Sequence, residues 1–139
     1  MVKGITHILT NNATIQGLVG RNAADDKYKV YPVICPHPEK HPYIVVRSSG
    51  KVPFGQGKCA DTTFTYSFEV HSFHKNYEDA EVLDNAVISA LNLRDGGVFN
   101  GVEFAEIRPG TLGADGDYVS EYEGLFHKVS TFEAEVNEG

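Results

Sequence analysis

The sequence is poor in the features that mark several large protein classes. It holds only two cysteines, Cys35 and Cys59, among 139 residues. That is too few for the disulfide framework of a small secreted domain, and in a reducing compartment both default to free thiols. A bond between them would need a proximity that spacing alone does not supply. No apolar run approaches the roughly 20 residues with which a helix spans a bilayer. Met1-Val2-Lys3-Gly4-Ile5 lacks a long apolar region followed by a small-residue cleavage site, so we expect no signal peptide and a chain that stays in the cytoplasm where it is made. Positive charge is also scarce: 12 lysines and arginines stand against 19 acidic residues, a net charge of −7. Such a surface repels phosphate and argues against sequence-independent nucleic-acid binding, although DNA could pass an acidic wall without adhering to it. Catalytic signatures are missing as well. No serine sits in a nucleophile elbow, and no phosphate loop is found. Gly96, Gly97 and Gly101 follow a helical pattern instead of opening one, so they build no anion cradle.

What remains is an ordinary single-domain composition. From Lys3 to Val19, the residues Ile5, Ile8, Leu9, Ile15 and Leu18 recur at helical spacing, interrupted at Asn11-Asn12. Asn12 or Thr14 can cap a second helical piece, with Gly20 as its stop. Tyr28 to Ile34 is β-prone, with Pro32 marking an edge or an end. Pro36, Pro38 and Pro42 hold the next stretch extended, and Tyr43 to Ser48 forms another strand. The glycine-rich stretch 49–61 reads as a loop. Thr62 to Phe73 alternates cleanly between apolar and polar residues, the pattern of a strand with one covered face. Tyr77 to Leu93 is the best helix. Asn76 caps it, Glu78, Asp79, Glu81 and Asp84 serve as solvated partners of its dipole, and Val82, Leu83, Ala86, Val87, Ala90 and Leu91 form its apolar stripe. Gly96-Gly97 stops it. Val102 to Arg108 follows as a strand, with Val102, Phe104 and Glu106 on one side. A glycine- and aspartate-rich loop leads to a long β-prone stretch, Tyr118 to Val136, bulged at Gly124. Strands joined without helical crossovers predict an α+β fold: a mostly antiparallel sheet of about four to five strands with two main helices packed on one face.

Two histidine groupings invite chemistry. Cys35, His37, Glu39 and His41 carry zinc-type ligands, with Cys59 as a possible fourth donor. The prolines, however, would spread them over about 20 Å at roughly 3.3 Å per residue, too far for one ion. The alternative is a stiff connector between two strands. His71 and His74 are three residues apart and so face opposite sides of a regular strand, which argues against a shared catalytic role. Their ordinary pKa near neutrality makes them candidates for pH-sensitive assembly.

Read in order, several pieces resemble one family. Gly17-Leu18-Val19-Gly20 ends the N-terminal helix, and a Tyr31-Pro32 strand leads into Pro36. His41-Pro42-Tyr43-Ile44-Val45-Val46 and Tyr66-Ser67-Phe68-Glu69-Val70 follow. The helix then carries Ala80-Glu81-Val82-Leu83-Asp84-Asn85-Ala86-Val87 and Ala90-Leu91. This arrangement is similar to the tail-completion, or tail-terminator, proteins of long-tailed phages and prophages. The likeness runs from about Ile5 to Leu93 and is weaker through Phe132. The resemblance implies a non-enzymatic virion protein without cofactor, metal or membrane. Its copies would form a ring, commonly of six, that caps the head-proximal end of the tail tube, stops polymerisation and meets the head connector. DNA would pass through the lumen. By analogy, the loops at 49–61 and 109–117 are candidates for contacts with partners or neighbouring copies, with Lys51, Phe54, Lys58 and Arg108 as the residues to test. The alternatives are another neck or tail component, such as a head-completion or tail-tube protein, and a small metal-dependent enzyme using Cys35, His37 and His41.

Overall fold

A computed structural model describes residues 1–23, 26–36, 41–53, 63–92, 94–110, 120–122 and 125–138. Among them are three helices, α1 (Val2–Thr10), α2 (Ala13–Val19) and α3 (Tyr77–Leu91). The strands are β1 (Arg21–Asn22), β2 (Lys27–Tyr28), β3 (Val30–Pro32), β4 (Tyr43–Pro53), β5 (Thr63–His74), β6 (Arg94–Phe99), β7 (Val102–Pro109), β8 (Ser120–Tyr122) and β9 (Leu125–Asn137). β1 and β2 form a small ribbon. The other strands make one sheet in the order β3-β4-β5-β9-β7-β6, with β8 extending the β7 side of β9. The sheet is therefore larger than the four to five strands expected, and a third helix joins the predicted two. The architecture is still mixed helix and sheet, with antiparallel pairing everywhere except between β3 and β4.

That one parallel pair changes the meaning of the proline-rich stretch. Val30, Tyr31 and Pro32 lie beside Ile44, Val45 and Val46 in parallel register. The end of β3 therefore lies beside Val46 and away from the start of β4, which a straight connector does not provide for, and residues 37–40 of the expected connector lie outside the described residues. Pro32 sits on the sheet edge, where its missing N–H costs no ladder bond.

The N-terminal helices behave as their sequence predicts. Ile5, Ile8 and Leu9 of α1 are buried. The side chain of Asn12 accepts the N–H of Ile15 at 3.1 Å and so caps α2. α1 packs against β3 and β4 and, from the far end of the sheet, against β6, so the sheet curls around it. Asn76 caps α3 by accepting the N–H of Glu78 at 2.9 Å.

Several sequence expectations fail for physical reasons. The helical stripe of α3 is displaced: Leu83, Val87, Ala90 and Leu91 are buried, whereas Val82 is half exposed. Asp84, expected in water, lies under α3 at 1 % exposure and accepts a 2.6 Å bond from the hydroxyl of Ser130 on β9. Gly96-Gly97 does not end the helix but lies inside β6. A Cβ on Gly96 would meet the carbonyl oxygens of Phe104 and Ala105, where a bulge in β7 brings the two backbones together. The same bulge turns Glu106 away from the core and puts Ile107 there instead. β4 also continues to Pro53, well into the predicted loop; residues 54–62 lie outside the described residues. The long C-terminal stretch is a hairpin, with Tyr122 opposite Leu125; Gly124, the expected bulge, is outside the described residues.

Between β6 and β7 the chain reverses at Asn100-Gly101, where both residues have positive φ. Phe99 and Val102 pair across this two-residue turn. Positive φ at both central positions is what a type I′ hairpin requires, and Asn-Gly accepts it at least cost.

The core lies between the helices and one face of the sheet. Ile44, Val46, Phe68, Val70, Phe132, Ala134 and Val136 meet Ile5, Leu9, Ile15, Leu83, Val87 and Leu91 there. Phe68 and Phe132, paired across β5 and β9, stack at 5.5 Å and are both fully buried. Phe132→Ala should lower the unfolding free energy by about 3–5 kcal/mol in urea denaturation, the usual cost of emptying a tightly packed aromatic site. A loss below about 1 kcal/mol would contradict this placement of the core.

Candidate functional site

The second face of the sheet is built from the alternate residues of the same strands. Near the start of β4 it carries a small apolar cluster of Tyr31, Cys35, Tyr43, Val45 and Leu125, against which Phe73 packs. The hydroxyl of Tyr31 accepts a 3.2 Å bond from Asn22, which ties the β1–β2 ribbon to this cluster. Cys35 is buried within it. His37 and Glu39, like Cys59, fall outside the described residues. Among the described residues, no three His, Cys, Asp or Glu side chains converge on a point where they could hold a metal ion.

Beside the cluster runs a stack of rings. Tyr43 stacks on Phe73 at 4.7 Å, Phe73 on His127 at 4.3 Å, and His127 on His71 at 4.8 Å. Register explains the order: Tyr43, Phe73 and His127 are cross-strand partners on β4, β5 and β9, and Val45, His71 and Val129 form the next rung. His127 escaped the sequence reading, although the alternation of β9 puts it on the same face as His71. His74, three residues on, is turned away from that stack as its spacing predicts. Its Nδ1 accepts the N–H of Asn76 at 3.1 Å at the start of α3.

The two imidazoles meet directly, with Nδ1 of His71 2.6 Å from Nε2 of His127, while Nε2 of His71 lies 3.2 Å from Glu69. With both rings neutral, one pair of tautomers satisfies every contact. Nε2–H of His127 donates to Nδ1 of His71, and Nε2–H of His71 donates to the Glu69 carboxylate. Protonating both rings would set two donors against each other. Burial lowers the His127 pKa to about 4, helped by the proximity of His71 and Arg47 and opposed by Glu69. Burial also lowers the pKa of His71, with Glu69 opposing.

Further along this face, Arg108 on β7 donates to Glu135 at 2.7 Å, to Glu106 at 2.8 Å and to Glu133 at 3.2 Å. Partial burial disfavours its charge, but hydrogen bonds and charge attraction from these carboxylates outweigh that and raise its pKa. Arg108, a candidate contact residue, is thus held against its own sheet. Lys51 sits near the end of β4, toward the helices. It donates to Glu138 at 3.0 Å and lies 4.1 Å from the ring of Phe64. Tyr66 donates to the same Glu138 carboxylate. Those two bonds lower the Glu138 pKa, and the bond to Glu138 raises that of Lys51. Phe54 and Lys58 lie outside the described residues. The structure therefore does not gather the four candidates into one patch: Lys51 and Arg108 belong to opposite faces.

The ring stack carries a clear consequence for acid stability. Both histidines bind protons less readily when folded than when unfolded. Their contribution is complete above the ordinary histidine pKa of about 6.5 and declines as pH falls toward about 4. Urea unfolding across that window should show a falling midpoint for the native chain and a flatter profile for His127→Phe, which keeps the stacking and removes the proton site. Identical profiles would contradict the neutral-pair assignment.

No family model matches the chain, and no curated protein matches it. Among solved structures, the fold is similar to that of a chain from the virion of a native gene transfer agent particle. The TM-score is 0.67 at 17 % identity, covering 96 % of this chain and 92 % of that one. At this identity the likeness establishes a shared fold over nearly the whole of both chains.

Proposed function

We propose that this chain is a structural protein of a phage-like virion. In the finer reading, its copies form a ring that caps the head-proximal end of the tail tube and joins it to the head connector. The observation that carries the proposal is the end-to-end likeness of fold to a chain of a gene transfer agent virion. The order of sequence elements similar to the tail-completion family supports the position at the tail end. The net charge of −7 suits a conduit through which DNA passes without adhering. Partners on this reading are further copies of the chain, the tail-tube protein and the head-connector protein. The action is binding, not catalysis, so function depends on which surfaces are covered. Lys51 and Arg108 are proposed to contribute through the ends of β4 and β7 that they brace, and Phe54 and Lys58 through the sequence that follows β4.

Deleting the gene from a particle-producing strain tests the terminator role. Tail tubes without a cap continue to polymerise, so electron micrographs should show headless tubes of variable length, often longer than normal. Tails of normal length attached to heads would contradict the terminator role. Normal-length tails separated from heads would favour a head-joining component instead.

A further inference from the structure

Where β3 ends, the chain makes an unusual turn. Val33 has a φ of +68°, a region that β-branched residues avoid. The N–H of Ile34 donates to the carbonyl of Pro32 at 2.7 Å, which closes a three-residue turn around Val33. Two further bonds hold it: the N–H of Val33 donates to the carbonyl of Val46 at 2.8 Å, and Nε of Arg47 donates to the carbonyl of Val33 at 2.7 Å. The result is two adjacent apolar side chains in water, Val33 at 59 % and Ile34 at 67 % exposure. A strained turn fixed by three hydrogen bonds that presents an apolar pair to solvent is the kind of local cost that points to function.

A concavity lies elsewhere on the molecule, on the outer side of α2 and α3. It measures about 360 Å³ and is lined by Leu18, Val82 and Ala86 with Asn12, Asn85 and Ser89 at its rim. Val82, half exposed, is the residue that departed from the predicted buried stripe. The two regions are complementary in charge. Beside the turn, Arg47 bonds the Val33 carbonyl with Glu69 opposite it on β5, and Arg21 and Lys27, with Asp26, line a hollow that also takes in Pro32 and Pro36. Around the groove, Glu78, Asp79 and Glu81 stand against Lys75. Glu78 and Asp79 are four and three residues before Val82, so they flank it on the helix surface.

We propose that the Val33–Ile34 turn of one copy seats in the α2–α3 groove of the next. Knob and groove occupy different parts of the molecule, so the contact is head-to-tail and leads to a closed ring when the rotation between copies permits. The apolar pair supplies the buried centre, and the opposed charges set its orientation at the rim. This inference rests on the self-assembling reading above and names the surfaces that would carry it.

The test uses light scattering and sedimentation on the full chain and on Ile34→Asp and Val82→Asp variants. Both are surface changes, and circular dichroism checks that each variant is folded. Each variant alone should self-associate roughly tenfold or more weakly than the native chain, as expected for loss of a central apolar anchor. Mixed one to one, the Ile34→Asp copy still offers its groove and the Val82→Asp copy still offers its knob. The mixture should therefore form a particle of two chains and nothing larger. An Ile34→Asp chain that assembles like the native one overturns this contact and leaves the virion reading standing. A mixture no more associated than either variant alone also overturns it. A native chain that stays monomeric at every concentration overturns the contact and counts against ring assembly as well.

Discussion

The pairing of β5 with β9 is the constraint on which the rest of the structure depends. Twelve residues of β5, Thr63 to His74, lie opposite twelve of β9, from Asn137 back to Phe126, without a break in register. A side-chain period of two gives each strand two faces, and a one-residue slip would exchange them. On the helix side this register sets Phe68 against Phe132 and Val70 beside Ser130. On the other side it sets Phe73 against His127 and His71 against Val129. The core and the histidine stack thus follow from a single alignment, and the register tolerates no shift that would improve one at the expense of the other.

The helix side also contains polar groups whose burial needs specific partners. Asp84 and Ser130 bond to each other beneath α3, and Lys128 is buried close by with its ammonium 5.7 Å from the ring of Tyr77. Such groups are poor sources of net stability compared with apolar residues of the same size, but removing one partner strands the other. They therefore fix how α3 sits on β5 and β9 more than they strengthen it. That position matters because α3 presents Val82 and its acidic first turn outward. The opposite edge is set in a similar way: the parallel pairing of β3 with β4 places the Val33 carbonyl within reach of Arg47.

Much of the fold was legible because it rests on local patterns. The alternation of Thr63 to Phe73, the Asn12 and Asn76 caps and the existence of α3 all rest on neighbours within a few residues, and those neighbours are in the sequence. What escaped was set by distant contacts. Nothing local marks Asp84 as buried, because its partner is on β9. Nothing near Gly96 announces the β7 bulge that crowds it, and that bulge also turned Glu106 outward against the plain alternation. The parallel return to β4 was hidden because three prolines describe local stiffness and say little about overall direction. Asn100-Gly101, between Phe99 and Val102, is a local hairpin signal that the sequence expectations did not include. His127 could have been read from the alternation of β9, although its contact with His71 required the strand partner. Of the candidate contact residues, Lys51 and Arg108 were taken from loops by analogy, which did not reveal that both are held by carboxylates of the same chain.

In this proposal the chain works through its surfaces: one turn that projects and one groove that receives. Its central claim is that copies of the chain sit as a ring at the head-proximal end of the tail. Cryo-electron microscopy of the assembled particle tests that claim most directly. The account predicts density fitting this fold in a single closed ring between the last tube layer and the head connector. Density for the fold repeated along the tube, or absent from the head–tail junction, would contradict it.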